Sequence, residues 1–281
     1  MPVPCALIGW LIIGDVMMPT RLPRPKTGLV TRGCYAEALQ DCDGGSLSRE
    51  HYISETLLER FGKGFTVEGL SWLSGPRKIT PKALQAKVLC ERHNNALSSL
   101  DTTIGRFYDV IAAAQKGDNI GCHIFDGEDI ERWAMKVLLG LAMSGNLRGR
   151  DGRPAKAYAL PEQYLRILFA EESMPDGCGF FYVGDPIDDI DAGLLDVSIN
   201  HYPLDHQNAG EVFGVTIKLL GFQFITSVMA RIEVERQRIW YRPGEFRFGK
   251  PDRGRIALRW TPPSNVGLVL EFPRFMFGAG L

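Results

Sequence analysis

Two short polar strings in the first third of the chain constrain its fold and chemistry more than any other feature of the sequence. The first is Ser48-Arg49-Glu50-His51, and the second is Cys90-Glu91-Arg92-His93-Asn94-Asn95. A Cys and a His separated by two residues can bind the same zinc ion, because thiolate and imidazole are ligands that zinc prefers. The second string therefore predicts part of a structural zinc site at the start of a helix.

Two earlier cysteines supply the other candidate zinc ligands. Cys42, Cys90 and His93 are three plausible ligands, and Cys34 is the nearest candidate for the fourth, which would complete a Cys3His set. Seven residues separate Cys34 from Cys42, whereas paired zinc ligands usually have about two to four residues between them. We predict a structural Zn²⁺ ion here. The alternative is that these cysteines are buried or free and bind no metal.

Glu50, His51 and Asn94 are suited to hydrolysis of a phosphodiester bond. This reaction needs an activated water, charge stabilisation on the phosphoryl oxygens and help for the leaving oxygen. Mg²⁺ prefers oxygen ligands and keeps several waters, so the Glu50 carboxylate and the Asn94 carbonyl are enough to hold it. His51 is predicted on the opposite face of a strand from Glu50, where a neutral imidazole can take a proton from water. In the alternative interpretation, His51 is an ordinary half-buried histidine, and Asn94 and Asn95 cap the helix that follows.

The spacing of apolar residues predicts the elements that carry these side chains. Alternation predicts a strand over 47–53, and helical spacing predicts helices over 54–61, 91–115 and 129–144. Beyond residue 154, short apolar segments rich in β-branched and aromatic residues predict the strands of an antiparallel sheet. These segments cover 164–170, 179–183, 212–219, 222–229, 239–241, 256–260 and 266–272.

The predicted fold class is α+β, with four parts along the chain. Residues 1–33 form an extended arm rich in basic residues and proline, in which 1–17 is poorly constrained and Met18 is an alternative first residue. Residues 34–118 form the zinc and metal module, and 119–150 a helical connector. Residues 151–281 form a β-rich domain to which the sequence assigns no role.

Composition restricts the partners and the setting. Lys and Arg (32) nearly balance Asp and Glu (33), so attraction to nucleic acid must come from a local patch. Candidates are Arg21, Arg24, Lys26, Arg32, Arg77, Lys78, Lys82, Lys87 and Arg92. The apolar run over 5–13 is far shorter than the roughly 20 residues that span a bilayer, so no membrane partner is expected. Six widely spaced cysteines do not suit a disulfide framework, which favours a reducing, cytoplasmic setting.

The two strings, with Cys42 before them and Leu97 and Asp101 after them, resemble the HNH endonucleases of the His-Me finger superfamily, in their zinc-bearing branch. The resemblance covers about residues 34–105. It implies a ββα-metal fold, a general-base role for His51, catalytic-metal roles for Glu50 and Asn94, and structural zinc at Cys42, Cys90 and His93 with a fourth ligand. The chain departs from the family's usual Cys-x-x-Cys pair and has His93 where the last ligand is commonly Cys.

The resemblance therefore implies an endonuclease that hydrolyses DNA phosphodiester bonds with one divalent ion, Mg²⁺ or similar. The alternative is a zinc-stabilised module without catalytic activity that binds nucleic acid or a protein.

Overall fold

The chain folds into an α+β structure, as its sequence predicts. The computed structural model describes residues 22–61, 65–67, 70, 72–146, 161–184, 195–201, 212–228, 238–249, 254–261 and 268–272. Most of the arm predicted over 1–33 lies outside these residues. Among the helices of the described ranges, none is long and apolar enough to cross a membrane.

The helices lie mainly in the first half of the chain. They are α1 (Glu55–Leu58), α2 (Glu91–Ala96), α3 (Ser98–Lys116), α4 (Gly127–Met143) and α5 (Glu162–Leu168), with 3-10 helices at Glu37–Leu39, Glu59–Phe61 and Pro81–Leu84. Local chemistry sets the bounds of the long helices. The Asp126 side chain caps α4 by accepting a hydrogen bond from the backbone of Glu128 at 2.9 Å, and α3 ends at Gly117, which adopts the left-handed conformation.

The strands form four sheets. They are β1 (Leu47–His51), β2 (Phe65–Val67), β3 (Arg77–Ile79), β4 (Gln85–Cys90), β5 (Gly121–Asp126), β6 (Gly179–Val183), β7 (Leu195–His201), β8 (Val212–Leu219), β9 (Phe222–Ser227), β10 (Ile239–Tyr241), β11 (Glu245–Phe248), β12 (Gly254–Arg259) and β13 (Val269–Phe272). β1 pairs with β4 and β2 with β3, and the larger sheets have the orders β10-β6-β9-β8-β7 and β13-β11-β12-β5.

A β-bulge interrupts the antiparallel pair β1–β4. Between the regular pairs on either side, one residue of β1, Arg49, faces two residues of β4, Lys87 and Val88. Side chains alternate between the two faces of a regular strand, so Gln85 and Cys90 would lie on opposite faces of an unbroken β4. The extra residue changes this alternation and brings both side chains to the same face of the pair.

The helix α4 lies at the centre of the molecule. It packs against α3, α5, β4, β5, β6, β8, β9 and β12, and its side chains are buried along nearly its whole length. The buried apolar side chains of both halves of the described chain form one cluster around it. The helix predicted over 129–144 is thus confirmed, while the predicted domain boundaries at residues 118 and 150 remain predictions.

Two sequence predictions about the second half differ from the structure. Residues 164–170 were expected to form a strand, but this segment contains helix α5, because its short apolar run fits a buried helix as well as a strand. The predicted antiparallel sheet is confirmed for the five-stranded sheet only. In the four-stranded sheet β11 pairs with β13, and β12 with β5, in parallel.

Candidate zinc centre and the surroundings of His51

Three cysteines and one histidine converge in a buried cluster, which we call the Cys3His cluster: Cys34, Cys42, Cys90 and His93. The three sulfur atoms and one ring nitrogen lie within 4.8 Å of one another. The Nδ1 atom of His93 is 3.0 Å from the sulfur of Cys90, 3.6 Å from that of Cys34 and 3.8 Å from that of Cys42. The sequence prediction that Cys34 joins the other three candidates is confirmed by this arrangement.

A short 3-10 helix, Glu37–Leu39, explains how seven intervening residues still bring Cys34 next to Cys42. The residue after it, Gln40, has a φ of 51° and turns the chain back. The backbone N–H of Cys42 donates to the carbonyl of Leu29 at 2.9 Å. The unusual spacing is therefore compensated by a compact local turn.

The distances suit a tetrahedral zinc ion. With Zn–S near 2.3 Å and Zn–N near 2.0 Å, tetrahedral angles place each sulfur about 3.5 Å from the ligating nitrogen. The Cys34 and Cys42 contacts to His93 agree with this value, whereas the Cys90 contact is shorter. The donor set is the one zinc prefers, so the residues present fit the ion.

Burial makes the cluster a closed site. None of its four residues is more than 1% exposed, so an ion there would have no open position for substrate, as in structural zinc sites. Burial also raises the pKa of the Cys34 and Cys42 thiols and lowers the pKa of His93 to about 4. Zinc binds thiolate and neutral imidazole, so its binding would release the thiol protons.

Ion pairs and hydrogen bonds stabilise the chain around the cluster. Arg92 pairs with the buried carboxylate of Asp41 at 3.0 Å, and its backbone N–H donates to Asp43 at 3.1 Å. The ring of His93 packs against Phe169, with ring centroids 4.9 Å apart. Its Nε2 atom is buried and has no hydrogen-bond partner among the described residues.

His51 lies at the end of β1, opposite Gln85 of β4. Its Nε2 atom is 2.8 Å from the side-chain nitrogen of Gln85, and its Nδ1 atom is 3.6 Å from the carboxylate of Glu55. Burial lowers the pKa of His51, and the Glu55 carboxylate opposes this effect. The imidazole is therefore neutral near pH 7, as a general base must be.

Glu50 lies on the opposite side of β1 and is 3% exposed. Its Oε1 atom is 2.6 Å from the ammonium nitrogen of Lys136, in a buried ion pair. Lys136 also donates to both carboxylate oxygens of Asp101 at 2.7 Å. Burial raises the pKa of Glu50 to about 7, although the charge of Lys136 opposes the shift.

Asn94 and Asn95 lie inside α2, where they cap neither helix. The N-cap residue of α2 is Cys90 and that of α3 is Leu97, and no side chain caps either end. The capping interpretation of the two asparagines is therefore wrong. Within the described part of the chain, the Asn94 side chain has no hydrogen-bond partner, whereas its backbone carbonyl accepts from Leu97 at 3.1 Å.

Sequence reasoning missed four residues that surround the predicted site: Glu55, Gln85, Asp101 as an ion-pair partner, and Lys136. Lys136 offered one signal, since it is a lone lysine within a strongly apolar helical stretch. Its partners lie far away in the sequence, so nothing local identifies them.

Comparison with known proteins adds no relative, because no protein-family model, no curated protein and no solved structure matches the chain.

Proposed function

We propose that this protein is a metal-dependent endonuclease that hydrolyses phosphodiester bonds in DNA, built around an HNH-like ββα module of β1, β4 and α2. The observation that carries the proposal is the Cys3His cluster. Its ligands come from the segment before β1, from the end of β4 and from the first turns of α2. A zinc ion there would hold the segment before β1, which bears Glu50 and His51, against β4 and against α2, which bears Asn94.

His51 is the proposed general base. It is the strand residue that the resemblance to HNH endonucleases assigns to this role, and its lowered pKa favours the neutral imidazole that a general base requires. Gln85 and Glu55 flank the ring on its two nitrogen atoms. Such flanking groups fix the orientation and the tautomer of a catalytic histidine.

Asn94 and Glu50 are the proposed ligands of a catalytic divalent ion such as Mg²⁺. When bound, the ion would stabilise charge on the phosphoryl oxygens and on the leaving oxygen. Asn94 directly follows the last residue of the Cys3His cluster, and its side chain has no hydrogen-bond partner in the described part of the chain. One oxygen of Glu50, Oε1, pairs with Lys136, and the other, Oε2, is the proposed metal ligand.

Exposed basic residues beside His51 support a nucleic-acid substrate. Arg49 lies two residues before His51 in β1, on the same face, and Lys87 lies across from it in the bulge of β4. Both are exposed. Lysine and arginine side chains at such positions can contact phosphate groups of a nucleic acid without reading its bases.

The test is a nicking assay on supercoiled plasmid DNA with Mg²⁺, using the full chain and its His51→Ala variant. We expect the substitution to reduce the rate by about 10²- to 10⁴-fold, the usual contribution of a general base. Zinc content and circular dichroism should remain unchanged, since His51 lies outside the Cys3His cluster. His123→Ala, which removes a histidine of β5 in another sheet, should nick at the rate of the parent.

Equal nicking by the parent and by His51→Ala would refute the assigned base. A parent protein that contains zinc but cleaves no nucleic acid with any divalent ion would favour the zinc-stabilised binding module.

A further inference from the structure

A lysine from outside the predicted module is buried against its carboxylates. Lys136 belongs to α4, and its side chain is 1% exposed. Its ammonium nitrogen lies 2.6 Å from Glu50 and 2.7 Å from Asp101. A buried ammonium is costly unless it is paired, and here two carboxylates from β1 and α3 surround it.

Close packing of α4 against β1 determines this placement. Gly140 lies one helical turn after Lys136, and a Cβ atom added to it would be 2.4 Å from the Cβ of Tyr52. Tyr52 directly follows β1 and lies two residues after Glu50, so this close approach is near the Lys136–Glu50 pair. Nearby, the indole of Trp133 donates to Ser54 at 2.7 Å.

The Ser54 hydroxyl in turn donates to Asp101, so the second carboxylate is held from two sides. The Asp101 carboxylate thus accepts hydrogen bonds from both the Lys136 ammonium and the Ser54 hydroxyl. These contacts hold the ammonium in place.

Glu50 therefore has a fixed orientation. Lys136 holds its Oε1 atom in an ion pair, which leaves Oε2 as the oxygen that can bind an ion. Carboxylates that bind metals are commonly held in this way, with one oxygen engaged by a protein group and the other directed at the ion. Losing such a supporting contact typically reduces metal affinity by about 10- to 100-fold.

We propose that Lys136 is a positioning residue of the nuclease site, which orients Glu50 through Oε1 so that Oε2 can bind the catalytic divalent ion. This inference rests on the proposed function. In this inference α4, a helix outside the predicted module, contributes a residue to the site. Asp101 has the supporting role of holding the ammonium in place.

The experiment measures Mn²⁺ binding to the zinc-loaded full chain by calorimetry, together with the Mg²⁺ concentration that gives half-maximal nicking. Lys136→Met should raise both values at least 10-fold, because the Glu50 carboxylate loses its anchor. Lys136→Arg keeps the positive charge and should restore most of the affinity. Arg132→Met is the matched control, since it removes another buried cation of α4 whose partners, Asp129 and Glu128, lie on the same helix.

A folded Lys136→Met variant with unchanged Mn²⁺ affinity would overturn the inference, while nicking by the parent would leave the proposed function intact. A parent that neither binds Mn²⁺ nor nicks DNA would instead refute the proposed function. If Lys136→Met does not fold, Lys136→Gln is measured by the same criterion. Failure of both to fold, with Lys136→Arg folded and active, would assign Lys136 to stability alone and also overturn the inference.

Discussion

The absence of a side chain at Gly140 allows α4 to lie close to Tyr52, the residue that follows β1. A Cβ atom at this position would lie 2.4 Å from the Cβ and 3.1 Å from the Cα of Tyr52. The Cα atom belongs to the backbone and cannot rotate away. Any side chain here would therefore push α4 and β1 apart and lengthen the contact between Lys136 and Glu50.

We expect Gly140→Ala to destabilise the protein by about 1–3 kcal/mol, the usual cost of overpacking a core. Alanine favours a helix over glycine by about 1 kcal/mol, which offsets part of this cost but does not remove the backbone clash. Urea unfolding measures the change. Gly75→Ala is the control, since no atom lies within 4 Å of a Cβ at that position. Equal stability of the two variants would mean that α4 can shift without cost.

Individual ligands of the Cys3His cluster were predictable because zinc restricts both the residue types and their order. The position of Cys34 needed the structure, since the turn at Gln40 is not evident from residue types alone. Lys136 could not be assigned at all. Its two partners are 86 and 35 residues away along the chain, and only the packing of α4 brings them together.

At the scale of elements, α4 is also anchored to the five-stranded sheet by a buried ion pair. Both carboxylate oxygens of Glu131 accept from Arg242, at 2.8 and 3.0 Å, and one accepts from the backbone of Phe180 at 2.6 Å. The guanidinium of Arg242 also lies over the ring of Trp260, 5.2 Å from its centroid. Breaking one side of such a pair leaves a buried charge without compensation.

We expect Arg242→Met to reduce the free energy of unfolding by about 3–5 kcal/mol, because Glu131 would stay buried without its cation. Chemical denaturation measures the loss. Arg166→Met, which removes an exposed pair with Glu162 on α5, should leave stability unchanged. A similar small effect of both substitutions would indicate that Glu131 becomes protonated at little cost.

The elements that sequence patterns predicted well are those with long or regular periodicity. The helix α4 and the strand β1 were expected close to their observed bounds. The strand β5 was not predicted, and its parallel partner β12 lies more than a hundred residues later in the chain. Such pairing depends on long-range packing, which local residue preferences do not encode.

At the scale of the whole molecule, one core extends from the Cys3His cluster through α4 to both large sheets. The cluster's cysteines belong to the same group of buried side chains as four aromatic residues of the five-stranded sheet, Phe180, Tyr182, Phe222 and Phe224. A structure that shares one core unfolds cooperatively. The zinc ion would therefore stabilise the entire molecule, beyond the segment that binds it.

We expect one zinc ion per chain, and a single calorimetric transition that moves to lower temperature when a chelator removes the ion. Cys42→Ser should reproduce this loss of zinc and stability. Cys178→Ser, at a buried cysteine outside the cluster, should keep the ion. Two separate transitions would support independent domains divided near residue 150, and a melting temperature insensitive to chelator would exclude a structural zinc.

The bulge in β4 has a consequence for the length of this segment. It lets Gln85, the partner of His51, and Cys90, a ligand of the cluster, share one face of the strand pair. Deleting one residue of the bulge, Lys87, would leave four steps from Gln85 to Cys90, so regular alternation would still place both side chains on one face. Substitution of this exposed residue and its in-frame deletion should therefore both be tolerated in a gene library, whereas a further residue inserted beside the bulge would shift the alternation by one position and should be eliminated.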